Sequence, residues 1–164
     1  MPLKRSVNSH YYIHGTVREI SMADPTALAA FCSFFNKLDK TCTEKLYEVY
    51  TENIVFNDPL HHIEGRDALG RYFSSMYENV ERCQFTYHVQ QCQGDQGFVT
   101  WTMAFVHPKL AGGRTIEIDG CSALTFAEDG RVSKHRDYFD AGAMLYEHLP
   151  LMGSIIRWLK KRLN

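Results

Sequence analysis

Two short segments of the chain hold the polar side chains that stand out as candidates for acid/base chemistry. They are Phe56-Asn57-Asp58-Pro59-Leu60-His61-His62 and His135-Arg136-Asp137-Tyr138-Phe139-Asp140. Side chains alternate between the two faces of an extended strand. His135, Asp137 and Phe139 therefore share one face, and Arg136, Tyr138 and Asp140 the other. A carboxylate aimed into an apolar cavity has its ionised form disfavoured, which suits it to general acid or base work. Asp137 is the candidate for that position, with Asp58 as the second acid or base. Asn57, His61, Thr100, Thr102 and His135 are expected to orient a substrate. Plainer readings stand beside these. Asp58 before Pro59 is a common turn residue, and Asp140 at a strand end suits the N-cap of a following helix. His61 and His62 are adjacent, and adjacent residues seldom aim at one ion. No H-x-x-x-H spacing is present either, so no metal site is expected.

These residues need elements to position them. Asp24-Pro25 reads as an N-cap followed by proline in the first helical turn, with Leu28, Phe31, Phe35 and Leu38 at helical spacing behind it. Thr43 caps a shorter helix carrying Leu46, Val49 and Tyr50. Residues 53–57 read as a strand ended by Asp58-Pro59. Gly65-Arg66-Asp67 opens a third helix whose Leu69, Tyr72, Phe73, Met76 and Val80 form one apolar stripe. Tyr72 joins the residues expected around the substrate. From Cys83 the period changes to two, with Phe85, Tyr87 and Val89 alternating with polar residues up to a Gly94-Asp95 turn. Strands follow over 98–107, around Ile116, Ile118, Leu124 and Phe126, and, after the Asp129-Gly130 hairpin signal, over 131–139.

Helices first and a strand meander after them make the class α+β. The expected form is a cone of N-terminal helices packed on a curved, mainly antiparallel sheet, enclosing one small-molecule pocket. Residues 1–23 read as an N-terminal arm, and 24–164 as one domain that includes an extra C-terminal helix. On the 98–107 strand the odd positions Val99, Trp101, Met103 and Phe105 are large and apolar, and the even ones are smaller on average. If the even face lines the pocket, the odd face is an exposed apolar patch. A homodimer through Trp101, Met103 and Phe105 then follows, with burial under the C-terminal helix as the competing explanation.

The bulk numbers narrow the partners. A chain of 164 residues, 45% hydrophobic and 23% charged, has the balance of one ordinary globular domain. A net charge of −1 gives no reason to expect nucleic acid. Five cysteines without C-x-x-C spacing argue against a disulfide framework or structural zinc and fit reduced thiols in a cytoplasm. No secretory signal is expected, because no apolar run follows the first basic residues. The last helical stretch sets Met152, Ile155, Ile156, Leu159 and Leu163 on one face, away from Arg157, Lys160, Lys161 and Arg162. Such a helix could lie on a membrane, but packing on its own domain or on a partner subunit is the expectation.

Taken together, several features resemble the nuclear transport factor two-like superfamily over about residues 24–148. They are the element order, Asp58-Pro59 after the first strand, Gly65-Arg66-Asp67-Ala68 opening the third helix, and the closing Arg136-Asp137-Tyr138-Phe139-Asp140. The branches most similar are the SnoaL-like polyketide cyclases, the limonene-epoxide hydrolases and the ketosteroid isomerases. The resemblance implies a cone-shaped fold with a deep apolar pocket, commonly dimeric and without a cofactor. It also implies that Asp137 matches the water-activating aspartate of the epoxide hydrolases and Asn57 their water-positioning asparagine. Their Arg-x-Asp falls at Thr100 and Thr102, and threonine cannot donate a proton to an epoxide oxygen as an aspartic acid can. Asp58 matches the proton-shuttling base of the isomerases. The isomerases' oxyanion donors fall at Phe34 and Ser122, a weak pair for that task. SnoaL-type cyclases need chiefly one acidic residue, which Asp137 could supply. Two functions stay open: a cofactor-independent acid/base enzyme of cyclase, isomerase or hydrolase type acting on a small apolar substrate, or a non-catalytic ligand-binding or dimeric scaffold module.

Overall fold

Proline in the first turn and apolar residues at helical spacing produce helix α1, Pro25–Phe35, whose Leu28, Phe31, Cys32 and Phe35 are buried. The computed structural model describes residues 25–38 and 43–162, so the expected N-terminal arm and the Asp24 cap lie outside the described residues. A 3-10 turn, Thr43–Glu48, leads into strand β1, Tyr50–Asn57. Tyr50, expected in the short helix, instead opens this strand. After the short strand β2, His62–Glu64, comes helix α2, Arg66–Glu78. Gly65 enters it at φ 86°, a conformation that favours glycine. Arg66 ties the helix start to β1 by donating to the Tyr50 carbonyl at 3.2 Å, and Leu69 and Phe73, one turn apart, face the core.

The sheet order is β2-β1-β6-β5-β4-β3, with β3 Arg82–Gln93, β4 Gln96–Val106, β5 Ile116–Phe126 and β6 Val132–Phe139. All neighbouring pairs are antiparallel except β1 with β6. This is an α+β cone, a curved open sheet with helices on its inner face. The Asp129-Gly130 turn forms as expected, Gly130 at φ 81° and Ala127 donating to the Arg131 carbonyl at 2.7 Å. Beyond β6 lie helix α3, Ala141–Met144, a 3-10 turn over Tyr146–His148, and helix α4, Pro150–Arg162. Asp140 caps α3 by accepting from Gly142 and Ala143 at 2.7 and 3.0 Å.

Two expectations about faces are corrected. The β4–β5–β6 register sets Val99, Ser122 and Asp137 in one row, and Trp101, Gly120 and Phe139 in the next. The inner face therefore carries the odd positions of β4. Trp101 and Phe105 are buried there and Met103 packs against the core, so these three are not an exposed patch. The physical reason is the layer above them, because helices cover this face and the Trp101 indole fills the space that glycine leaves at Gly120. A Cβ there would collide with the indole. The second correction concerns β3. A bulge between Tyr87 and Gln90 shifts the alternation, so Phe85 and Tyr87 point inward while Val89 is exposed.

Candidate active site

Asp137 faces inward beside His135, as the alternation requires. A chain of hydrogen bonds converges on its Oδ1. Ser122 donates its hydroxyl at 2.5 Å, and His135 Nε2 lies at 2.8 Å. An ionised carboxylate only accepts, so Nε2 carries a proton. In the neutral ring, Nδ1 then accepts from the Tyr50 hydroxyl at 2.7 Å. At the other end, Trp101 Nε1 donates to Ser122 Oγ at 2.9 Å. The relay Tyr50–His135–Asp137–Ser122–Trp101 crosses β1, β6, β5 and β4, and every proton in it points toward Asp137.

The surroundings of the relay are apolar and aromatic. His135 is only 2% exposed, with Phe31, Phe35 and Phe56 edge-on at 5.2, 5.9 and 5.0 Å. The Asp137 side chain keeps 18% of its surface, and its Oδ2 takes no hydrogen bond from any described residue. Burial, and secondarily the Asp137 charge, pushes the Tyr50 phenol well up. Tyr87 on β3 is likewise pushed up, by burial first, then by Cys32 and Asp137. Its ring stacks on Phe85 at 6.0 Å, and its hydroxyl has no hydrogen-bond partner among the described residues. A carboxylate oxygen and a phenol, neither with a hydrogen-bond partner among the described residues, thus border the same inner surface.

Asp58 is arranged differently. Its Oδ1 accepts from the backbone N–H groups of Leu60 and His61 at 2.7 and 2.6 Å, closing the β1–β2 turn. Its Oδ2 accepts from Tyr72 at 2.5 Å, and His61 Nδ1 lies 3.3 Å from Oδ1. Tyr72 is pushed up by burial, then by Asp58 and more weakly by Asp137, so its phenol is felt by both carboxylates.

Of the other expected residues, Ser122 and His135 join Asp137 directly, and Tyr72 links to it only through its electrostatic environment. Asn57 pairs in register with Arg136 on the outer face and bonds His62 Nδ1 at 2.6 Å. His61 is exposed at the turn. Thr100 and Thr102 are also on the outer face, Thr100 accepting from the Val89 N–H at 3.0 Å and Thr102 donating to Asp119 at 2.6 Å. Phe34 makes its ring contact with Phe35 and does not reach His135. The sequence reading missed Tyr50, Trp101 and Tyr87 as site residues. Strand parity with Phe56 could have revealed Tyr50. The rings of Phe31, Phe35 and Phe56 pack around His135, next to Asp137 on the same strand face. The two clefts described, about 540 and 310 Å³, lie elsewhere, one along Leu46, Arg66 and Arg71 and one along Arg114, Glu117 and His148. Among the described residues no group of three or more His, Cys, Asp or Glu side chains is placed to hold a metal ion.

Comparison with known proteins follows the fold. Residues 28–135 match the family model of a SnoaL-like domain. An LEH-like epoxide hydrolase of M. tuberculosis superposes with a TM-score of 0.60 at 21% identity, covering 72% of this chain and 85% of that one. A protein of Catenulispora acidiphila with a ketosteroid isomerase-like fold, bound to trimethylamine, gives 0.64 at 11%, covering 74% and 90%. A protein from Jannaschia sp. CCS1, proposed to be a SnoaL-like polyketide cyclase, gives 0.62 at 17%, covering 73% and 86%. No curated protein sequence matches the chain.

Proposed function

The chain belongs to the SnoaL-like domain family, and from that premise we propose that it is a cofactor-independent acid/base enzyme acting on a small apolar substrate, with Asp137 as its base. The observation that carries this is the asymmetry of the Asp137 carboxylate. Oδ1 is held by Ser122 and His135, while Oδ2 has no hydrogen-bond partner among the described residues and the side chain is partly open. Oδ2 takes a proton from a substrate carbon and returns it to a second position of the same molecule, which is the net chemistry of an isomerisation or cyclisation. Ser122 and His135 keep the carboxylate oriented, and Tyr50 keeps Nε2 as the donor. Tyr87, kept protonated by its surroundings, supplies a hydrogen bond to the oxygen on which negative charge develops. Asp58 positions Tyr72 at the edge of the site.

Cyclase or isomerase chemistry is favoured over epoxide opening by the inner face of β4. Val99, Trp101, Met103 and Phe105 are all non-ionisable, so this strand offers no acid to protonate a leaving oxygen. Pairing of two copies is assigned to the outer sheet face, where Val89, Phe98 and Tyr138 are exposed.

A general-base probe tests the reading. Nitrobenzisoxazole, which opens when a base removes one activated C–H proton, is expected to turn over with the wild type and about 100-fold or more slowly with Asp137→Asn. Asp58→Asn should stay within a few-fold of wild type. Wild-type turnover no faster than that of acetate at equal concentration would hand the site to the alternative, a non-catalytic ligand-binding module.

A further inference from the structure

Helix α4 was expected to pack its apolar face on its own domain or on a partner subunit, and within the chain most of that face is uncovered. Met152, Ile155, Trp158 and Leu159 are between 44% and 57% exposed. The side turned to the body is Gly153, Ile156 and Lys160, at i, i+3 and i+7. Gly153 is buried, Ile156 is partly buried, and Lys160 pairs with Glu147 and lies 3.7 Å from Asp140. The opposite side presents Ile155, Trp158, Leu159 and Arg162, a ridge about 11 Å long on the 13-residue helix. Arg162 lies over the Trp158 ring, 4.6 Å from its centroid.

Charge separates this helix from the rest of the chain. Residues 150–162 contain Arg157, Lys160, Lys161 and Arg162 and no acidic residue. Removing those four from the chain's 18 basic residues leaves 14 against 19 acidic ones, so the remainder carries −5 while the helix carries +4. An anionic surface therefore attracts α4 and repels the body.

We propose that α4 docks on an anionic lipid bilayer, lying in the headgroup region with Ile155, Trp158 and Leu159 inserted and Lys161 and Arg162 among the phosphates. The inference is independent of the chemistry assigned to Asp137. A lipid surface fits better than a second copy for two reasons. The ridge is convex, and both described clefts are lined by charged side chains rather than by an apolar groove. Two α4 ridges placed together would also bring Lys161 and Arg162 of each copy to one interface with no acid from either helix. No helix among the described residues is long and apolar enough to cross a membrane, so the contact is with the surface.

Co-sedimentation of the full chain with vesicles decides it. With three parts phosphatidylcholine to one of phosphatidylglycerol, the chain should bind about tenfold more strongly than with phosphatidylcholine alone, and less at high salt. The tryptophan emission should shift to the blue on binding. Trp158→Phe should abolish that shift, because Trp101 is buried in both states. Ile155→Asp with Leu159→Asp should lose binding while leaving the circular dichroism of the fold intact, and Lys161→Glu with Arg162→Glu should remove the preference for anionic vesicles. Absence of binding to the anionic vesicles overturns the proposal. So does a solution dimer that Leu159→Asp turns into monomer, since a second copy would then be the occupant of the ridge.

Discussion

Two carboxylates sit at the ends of two strands, and their surroundings make them different chemical objects. Asp58 is saturated: two backbone N–H groups hold one oxygen and Tyr72 the other. Asp137 has one oxygen held by Ser122 and His135 and one without a partner among the described residues. A saturated carboxylate stabilises a turn, whereas a half-satisfied one is oriented and still able to accept. The comparison teaches that position before a proline or inside a short motif says little about reactivity. What matters is how many lone pairs the fold leaves over.

The comparison can be broken in several ways. The largest stability effect is expected at the saturated site. Asp58→Ala removes acceptors from two backbone donors and one phenol and should cost about 2–3 kcal/mol by urea unfolding. A loss near zero would mean that the turn does not depend on its carboxylate. Asp137→Asn, which keeps an oxygen for Ser122 and His135, should cost only about 1 kcal/mol while removing the base. Next is the row beside Asp137, where Gly120→Ala forces the Trp101 indole to shift and should cost about 1–3 kcal/mol. If the indole moves, the Trp101–Ser122 bond is lost too, and probe turnover should fall with it. Tyr50→Phe leaves His135 Nδ1 without its donor inside the core and should cost about 1–2 kcal/mol.

The smallest effect concerns alkaline pH. Tyr50 and Tyr72 are both pushed above the ordinary phenol value of 10.0, mainly by burial and further by Asp137 and Asp58 respectively. A phenol with a raised folded pKa contributes stability that is whole below the unfolded value. That contribution is lost as pH climbs beyond it, when the unfolded chain ionises and the folded one does not. Unfolding above pH 10 should therefore become easier with each further rise in pH, and Tyr72→Phe or Tyr50→Phe should flatten the dependence. Spectrophotometric titration should show the Tyr50 and Tyr72 phenols still protonated above the ordinary phenol range as long as the chain is folded.

Much of the fold was legible because it rests on local rules. Pro25 in a first turn, the Leu69 and Phe73 stripe, Asp129-Gly130 and the Asp140 cap each act within a few residues. The pairing of His135 with Asp137 on one face needed only strand alternation. Tyr50 was misplaced because a short apolar run beside Leu46 and Val49 fits helix and strand alike, and only its parity with Phe56 points to the strand. The outward turn of Val89 depends on a bulge, whose extra residue leaves no periodic trace. Asn57, Thr100 and Thr102 were carried to the site by motif position, and the strands turn all three to the outer face.

Sequence alone determined the class of fold, the order of its elements, the inward face of β6 and the cationic, amphipathic character of α4, because each follows from spacing along one stretch of chain. Only the tertiary structure decided which β4 residues share the Asp137 row, which carboxylate is saturated, and that α4 leaves its apolar ridge uncovered. Those outcomes depend on inter-strand register and on contacts between distant segments, and a shift of one residue in register exchanges the two faces of a strand.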